Sequence, residues 1–163
     1  MDDILQALEE QHAELAGLLT DLDAAGWARP SRCAGWSVAD VVTHLAQSDE
    51  LALASLAGSF GAGLDGVGNV DEWAARAIEA EGERSSTEVL ARWIEATADL
   101  EAALGASDPS RRVQWVAGTL SCRTLAATRL AECWIHTNDI AEVAPTERLR
   151  PVARLAWRTL PYA

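Results

Sequence analysis

The chain has no lysine: its 13 basic side chains are all arginine, set against 25 acidic ones in 163 residues, for a formal net charge of −12. Without a side-chain amine, Schiff-base chemistry is excluded. An acidic surface with no basic stripe argues against gripping a phosphate backbone, so no nucleic-acid partner is expected. Cysteine is scarce and odd in number. Cys33, Cys122 and Cys133 are widely spaced with no Cys-x-x-Cys pair, so they read as reduced, buried thiols and not as a disulfide framework. Any of them can still lie beside a metal site. No apolar run approaches the length that spans a bilayer. The acidic start Met1-Asp2-Asp3 lacks the charged and apolar regions of a secretory signal. A soluble cytoplasmic protein of one domain's length follows. There is also no nucleotide-binding glycine fingerprint, internal repeat or low-complexity tract.

What the sequence does have is helical periodicity. Leu5, Leu8, His12, Leu15, Leu19 and Leu22 recur by threes and fours and predict a first amphipathic helix, with His12 as a packing or edge histidine. Asp23 to Pro30 breaks it, and residues 29–35 are a loop by composition. Ser37 with Asp40 reads as a capping box opening a second helix to about Phe60, with Val38, Val41, Leu45, Ala52 and Leu56 buried and His44 and Ser48 beside them. Gly58 to Gly68 is a glycine-rich connection. A short helix follows Asp71, and a longer one begins near Thr87 with Val89, Leu90, Trp93, Ile94, Thr97, Leu100 and Leu104 inward. Gly105 to Gly118 is read as a second loop, its Arg111-Arg112 pair solvated or open to an acidic ligand. A further helix is capped near Thr119 or Ser121 and runs to about Ala144, where Pro145 ends it. Pro151 starts a last amphipathic segment with Val152, Leu155, Ala156 and Leu160. Four long helices with moderate loops predict an all-α protein, a four-helix bundle with an additional short helix and a C-terminal helical segment.

Two short stretches carry chemistry. Glu132 and His136 are four apart, one helical turn from each other on one face, and His44 lies on a separate helix. If those helices face each other, the side chains converge as His, Glu and His, a set that suits a divalent metal with coordination positions left open. On a helical wheel Glu132 and His136 fall in the inward stripe with Leu125, Arg129, Ile140 and Val143. A buried carboxylate is costly unless paired or coordinated. Arg129, one turn away, supplies an ion pair; a divalent cation supplies the other solution, and the inward placement favours it. Since three protein ligands are named, at least one exchangeable position is expected; Cys33, Cys122 and Cys133 are the candidates for a fourth ligand that would close the site.

The stretch Cys33-Ala34-Gly35-Trp36-Ser37-Val38-Ala39-Asp40-Val41-Val42-Thr43-His44-Leu45-Ala46 resembles the loop-and-second-helix signature of the DinB-like metalloproteins. The closer match is the actinobacterial branch that includes mycothiol-dependent maleylpyruvate isomerase, whose Glu-x-Trp-x-His-x-x-Asp signature resembles residues 132–139. The resemblance covers essentially the whole chain. It implies a four-helix bundle holding a divalent metal, often zinc, on residues matching His44, Glu132 and His136. It implies a low-molecular-weight thiol such as mycothiol as second cofactor, with Asp139 orienting a ligand or contacting the thiol's amine, and Arg129 counted with it as a candidate contact. Trp36 and Trp134 match family aromatics and read as packing anchors. Residues 1–147 are then the metal-binding bundle, and 148–163 lead towards a second domain that this chain lacks and that active relatives carry, leaving an apolar edge exposed or covered by another chain, as in a homodimer. The expected function is a mycothiol-dependent isomerase or thiol transferase acting on an electrophilic substrate. The alternatives are a non-catalytic metal- or thiol-binding module and a metal-free bundle with a buried Arg129–Glu132–His136 cluster.

Overall fold

The computed structural model describes residues 1–61, 70–82, 84–116, 118–141 and 146–153. Its long helices are α1 (Asp2–Thr20), α3 (Val38–Ala57), α5 (Ser86–Gly105) and α6 (Cys122–Ile140), with a short α2 (Ala24–Ala28) and α4 (Val70–Glu81) between them. The boundaries follow local chemistry. Ser37 accepts from the Asp40 amide while Asp40 reaches back to the Ser37 amide, and Ser85 and Glu88 repeat this capping box at α5. Gly58, at φ +79°, supplies the left-handed turn that stops α3, three residues short of the expected Phe60.

α3 packs along α5, and α6 lies against both α1 and α3, so the four long helices form the bundle. Three loop readings change. The Asp23–Pro30 break contains α2, because Asp23 caps it by accepting from the Gly26 amide, and Trp27 buries. The Gly105–Gly118 loop holds strand β1 (Arg112–Trp115), which pairs antiparallel with β2 (Gly118–Ser121); alternation buries Val113 and Trp115 against the bundle. Arg111 and Arg112 are engaged there on the carbonyls of Leu56 and Thr119. Residues 146–152 form a 3₁₀ helix with Pro151 inside it, where Pro151 had been expected to begin a segment. Leu155, Ala156, Leu160, Ala144 and Pro145 lie outside the described residues, as does most of the Gly58–Gly68 connection. Ile94, expected inside, is 46% exposed. Among the described residues no helix is long and apolar enough to cross a membrane.

The core is divided along the bundle axis. One apolar cluster contains Leu8, Leu56, Leu100, Leu104, Leu125 and Leu130, the other Leu15, Leu19, Val41, Leu45, Trp93 and Ile140. Most of the buried polar residues of the long helices gather near the boundary of the two: Gln11 and His12 on α1, Gln47, Ser48 and Asp49 on α3, Thr97 on α5 and Arg129 on α6, whereas Thr43, Ser55 and Thr137 lie beside one cluster or the other. Buried polar groups persist only when bonded. Gln11 donates to Thr137 Oγ1 at 3.0 Å, and His12 Nδ1 lies 2.6 Å from Glu101. His12 is thus a packing histidine with one acidic partner. Burial disfavours its charged ring, but hydrogen bonding to Cys133 and Glu101 outweighs this and its pKa is pushed up to about 10. A folded pKa above the unfolded 6.5 contributes stability that is complete below pH 6.5 and is lost as pH rises through about 10. Urea unfolding should therefore show a falling midpoint across that window. His12→Gln should flatten the fall; an unchanged slope in the variant would assign it to other groups.

Candidate metal centre

The polar layer opens to solvent on one side, between α3 and α6. His44 projects from α3 and Glu132 from α6, with His44 Nε2 3.1 Å from Glu132 Oε1. His136, one turn further along α6, brings its ring centre to 5.1 Å from that of His44. His44, Glu132 and His136 each offer a ligand atom, all within 4.8 Å of one another. A second group, Cys33, His136 and Asp139, meets the same limit and shares His136.

Each donor is held by a neighbour. Glu132 uses its two oxygens differently: Oε1 faces His44 and accepts from Ser48 Oγ at 3.3 Å, while Oε2 accepts from Arg129 Nη1 at 2.6 Å. Arg129 is only 1% exposed, and its Nε donates to Asp49 Oδ1 at 2.8 Å. His136 Nδ1 lies 3.0 Å from Asp139 Oδ2, the carboxylate–imidazole arrangement that fixes a ligand's ring and leaves Nε2 for coordination. His44 packs on Trp36 at 5.2 Å, and its Nδ1 is buried without a hydrogen-bond partner among the described residues, so Nε2 is its polar edge.

The loop before α3 brings Cys33 in. Gly35 at φ +83° turns the chain, the Ser31 amide donates to the Trp36 carbonyl, and the Arg32 amide donates to the Asp139 carbonyl at the end of α6. Arg29 reaches the Ile140 carbonyl and Arg32 Nη1 that of Asn138. This clamp sets Cys33 Sγ 3.2 Å from Asp139 Oδ2 and 3.7 Å from His136 Nδ1. Burial and the Asp139 carboxylate push the thiol up to about 11, so it donates to Asp139 as S–H.

Charge decides what the cluster can hold. Burial pushes the Glu132 carboxyl up, but Arg129, His44 and His136 outweigh it and hold it well below the usual carboxylate range. His136 is lowered, first by burial and then by His44, against the pull of Glu132 and Asp139. A neutral imidazole and an ionised carboxylate are the forms that ligate. Asp49 and Glu132 share the Arg129 guanidinium, while Asp139 bonds to the His136 ring, so carboxylates outnumber the guanidinium among the bonded groups of the cluster and the cluster has an excess of acidic groups. The donor set and this excess fit a divalent cation of the zinc type.

The donors line a cavity of about 760 Å³ together with Cys33, Ala34, Trp36, Ala74, Ala131 and Ile135, among others. Glu132 and His136 are not fully inward as the wheel suggested: their side chains are 30% and 15% exposed, and Leu130, Cys133 and Thr137 take the closed positions. Of the two compensations weighed for Glu132 the ion pair is present: Arg129 takes one oxygen and leaves the other towards His44. Arg129 itself is away from the cavity lining, locked between carboxylates. Trp36 lines the cavity where a packing anchor was expected; Trp134 is half-buried on α6. Of the three thiols, Cys122 and Cys133 are buried and Cys33 is at the site. Sequence reasoning missed Asp49. Its signal was an acidic residue four after Leu45 and three before Ala52, inside an apolar stripe, mirrored by Arg129 on another helix.

Residues 8–141 match the family model described as the mycothiol maleylpyruvate isomerase N-terminal domain. Two curated proteins, from two strains of Mycobacterium tuberculosis and both described as uncharacterized, are 32% identical over 168 residues, covering 96% of this chain and 64% of theirs. The chain thus spans less than two thirds of the length of these relatives. Among solved structures, a mycothiol-dependent maleylpyruvate isomerase superposes with a TM-score of 0.76 at 19% identity, and a histidine-to-alanine mutant of such an enzyme with 0.73 at 21%. Each match covers 93% of this chain and 67% of the other. At that identity the likeness is one of fold.

Proposed function

The chain belongs to the mycothiol maleylpyruvate isomerase N-terminal domain family, and on that premise we propose that it is a divalent-metal-binding bundle acting as a thiol-dependent isomerase or thiol transferase. The metal is zinc, the ligands are His44, Glu132 and His136, and the thiol is mycothiol or a similar small thiol. The metal-binding unit in this reading is residues 1–147. The observation that carries it is the convergence of two imidazoles and one ionised carboxylate, with an excess of acidic groups behind them, at the floor of an open cavity.

Zinc bound there would lower the pKa of a thiol and so supply a thiolate at neutral pH. The protein's own groups do the rest. Arg129 fixes Glu132 so that Oε1 stays presented, and Asp139 fixes the His136 ring. Asp139, one turn beyond His136, also offers its carboxylate to the thiol's amine. Trp36, Ala131 and Ile135 wall the cavity and limit water around the reacting atoms. A thiolate adding to an activated double bond converts it to a single bond. Rotation and loss of the thiolate give the isomer and return the same thiolate, whereas protonation of the adduct gives the transfer product.

The test is calorimetric titration of mycothiol into the chain with and without one equivalent of zinc, followed by assays of maleylpyruvate isomerisation and thiol transfer to small electrophiles. Metal-dependent thiol binding and thiol-dependent turnover are expected. Binding of both without turnover would instead make the chain a non-catalytic metal- and thiol-binding module.

A further inference from the structure

The geometry points to a second metal position in this molecule, for a thiophilic cation, formed by Cys33 Sγ, His136 Nδ1 and Asp139 Oδ2 on the opposite edge of the His136 ring from the proposed zinc position. It shares His136 with that reading and stands without it.

Spacing is the first observation. Cys33 Sγ lies 3.2 Å from Asp139 Oδ2 and 3.7 Å from His136 Nδ1, and those two atoms are 3.0 Å apart. Metal bonds of about 2.3 Å to sulfur and about 2.0–2.1 Å to nitrogen and oxygen, set at tetrahedral angles, hold such donors roughly 3.3–3.6 Å from one another. Each observed separation is within a few tenths of an ångström of that. The His44 Nε2–Glu132 Oε1 pair, at 3.1 Å, is spaced in the same way.

The second observation is how the donors are held. His136 and Asp139 are three apart on α6 and so share a face. Cys33 comes from the loop before α3, whose Arg32 amide donates to the Asp139 carbonyl. The Arg29 and Arg32 guanidinium groups reach the carbonyls of Ile140 and Asn138, on either side of it. Within the loop the Cys33 amide donates to Ser31 Oγ at 3.1 Å. Sulfur and helix are thus fixed relative to each other before any ion arrives, the condition for a preorganised site. Cys33 and His136 both line the cavity, which gives an ion its path.

The third is the chemistry of the set. A thiolate, an imidazole and a carboxylate together suit zinc, cadmium or cobalt and not magnesium or calcium. On binding, the S–H bond that now points to Asp139 breaks, a sulfur–metal bond forms and the proton goes to solvent, with nothing oxidised or reduced. With the first position filled, the Nδ1 proton leaves as well and the ring bridges the two ions. Proton loss from sulfur is the cost of filling this position, so at neutral pH zinc takes the His44, Glu132 and His136 set first. An ion beside Cys33 stands in the wall of the same cavity and withdraws Asp139 from the ring it steadies, so excess thiophilic metal opposes use of the first position.

The purified, reduced chain is loaded with one equivalent of zinc and titrated with cadmium chloride in buffer free of small thiols. Bound metal is counted after desalting, and the ultraviolet thiolate-to-cadmium charge-transfer band reports sulfur at the ion. One cadmium per chain is expected beside the retained zinc, with the band complete at that point. Cys33→Ala should abolish the band and weaken cadmium binding by more than the about 10–100-fold that loss of a hydrogen-bond partner behind a ligand costs. In His44→Ala, which dismantles only the first set, the band should persist. Cadmium-edge X-ray absorption of the wild type, which needs no variant, should show one sulfur with nitrogen and oxygen neighbours. A wild type without the band, or a band unchanged in Cys33→Ala, would overturn the inference. So would expulsion of the zinc by one equivalent of cadmium, which would mean one position and not two. A chain that binds cadmium through Cys33 but takes no zinc removes the proposed function and keeps this position; a zinc-loaded, thiol-using chain without a cadmium–sulfur band does the reverse.

Discussion

Arg129→Ala is expected to lower stability by about 3–5 kcal/mol, the range for removing one partner of a buried ion pair. The guanidinium is 1% exposed and ties Asp49 on α3 to Glu132 on its own helix. Its loss leaves Asp49, whose side chain is 2% exposed, as an uncompensated charge in the polar layer between the two apolar clusters. Arg129→Lys should recover little, because one ammonium cannot reproduce two directed N–H bonds at that separation. Arg129→Met combined with Asp49→Asn should recover more than half, since it removes both charges with their desolvation cost. Urea denaturation of the four proteins decides the matter. A loss below about 1 kcal/mol for Arg129→Ala would mean that the layer is hydrated and the pair is worth no more than a surface one.

The same layer shows what the sequence could and could not disclose. The four long helices were legible because their apolar stripes repeat every three to four residues and one opens on a readable capping box, whose Ser37 and Asp40 bond as the spacing predicts; the second box, Ser85 with Glu88, went unread and that helix was expected to begin near Thr87. The hairpin was not legible. The first strand has only two inward positions, Val113 and Trp115, and the second shows no alternation of burial, too little for a pattern to stand out beside Pro109 and Gly118. Ile94 misled because one apolar residue on a wheel says nothing of how far the neighbouring helices wrap around α5. The convergence of His44, Glu132 and His136 was readable from spacing together with the resemblance, for helical period brings Glu132 and His136 together and the bundle brings α3 to α6. Asp49 and Cys33 were harder. Asp49 acts only through a long-range partner, and Cys33 reaches the site because the clamp between residues 29–32 and the end of α6 folds the loop over it. Such contacts depend on backbone carbonyls, which every residue has and no sequence pattern marks.

The purified chain is expected to carry one divalent metal, and His136→Ala and His44→Ala are each expected to reduce it well below one per chain. Each substitution removes one of three donors and leaves the ionised Glu132 with an incomplete set, while stability should change little, because both rings are partly exposed at the cavity floor and Arg129 keeps Glu132 paired. Asp139→Asn should retain stoichiometry but weaken affinity by about 10–100-fold, as loss of a hydrogen-bond partner behind a ligating histidine typically does. Cys33→Ser separates an open site from a closed one. The thiol is turned to Asp139 as a donor, so its loss should leave the metal in place and X-ray absorption of the thiol-free protein should show nitrogen and oxygen neighbours without sulfur. A sulfur neighbour that disappears in Cys33→Ser would make Cys33 the fourth ligand and the centre structural, closing the position that a thiol cofactor needs. Full metal retention in both histidine variants would falsify the His44–Glu132–His136 site itself, leaving Arg129 as the sole compensation for Glu132 and the bundle as a metal-free fold with a buried ion-pair layer.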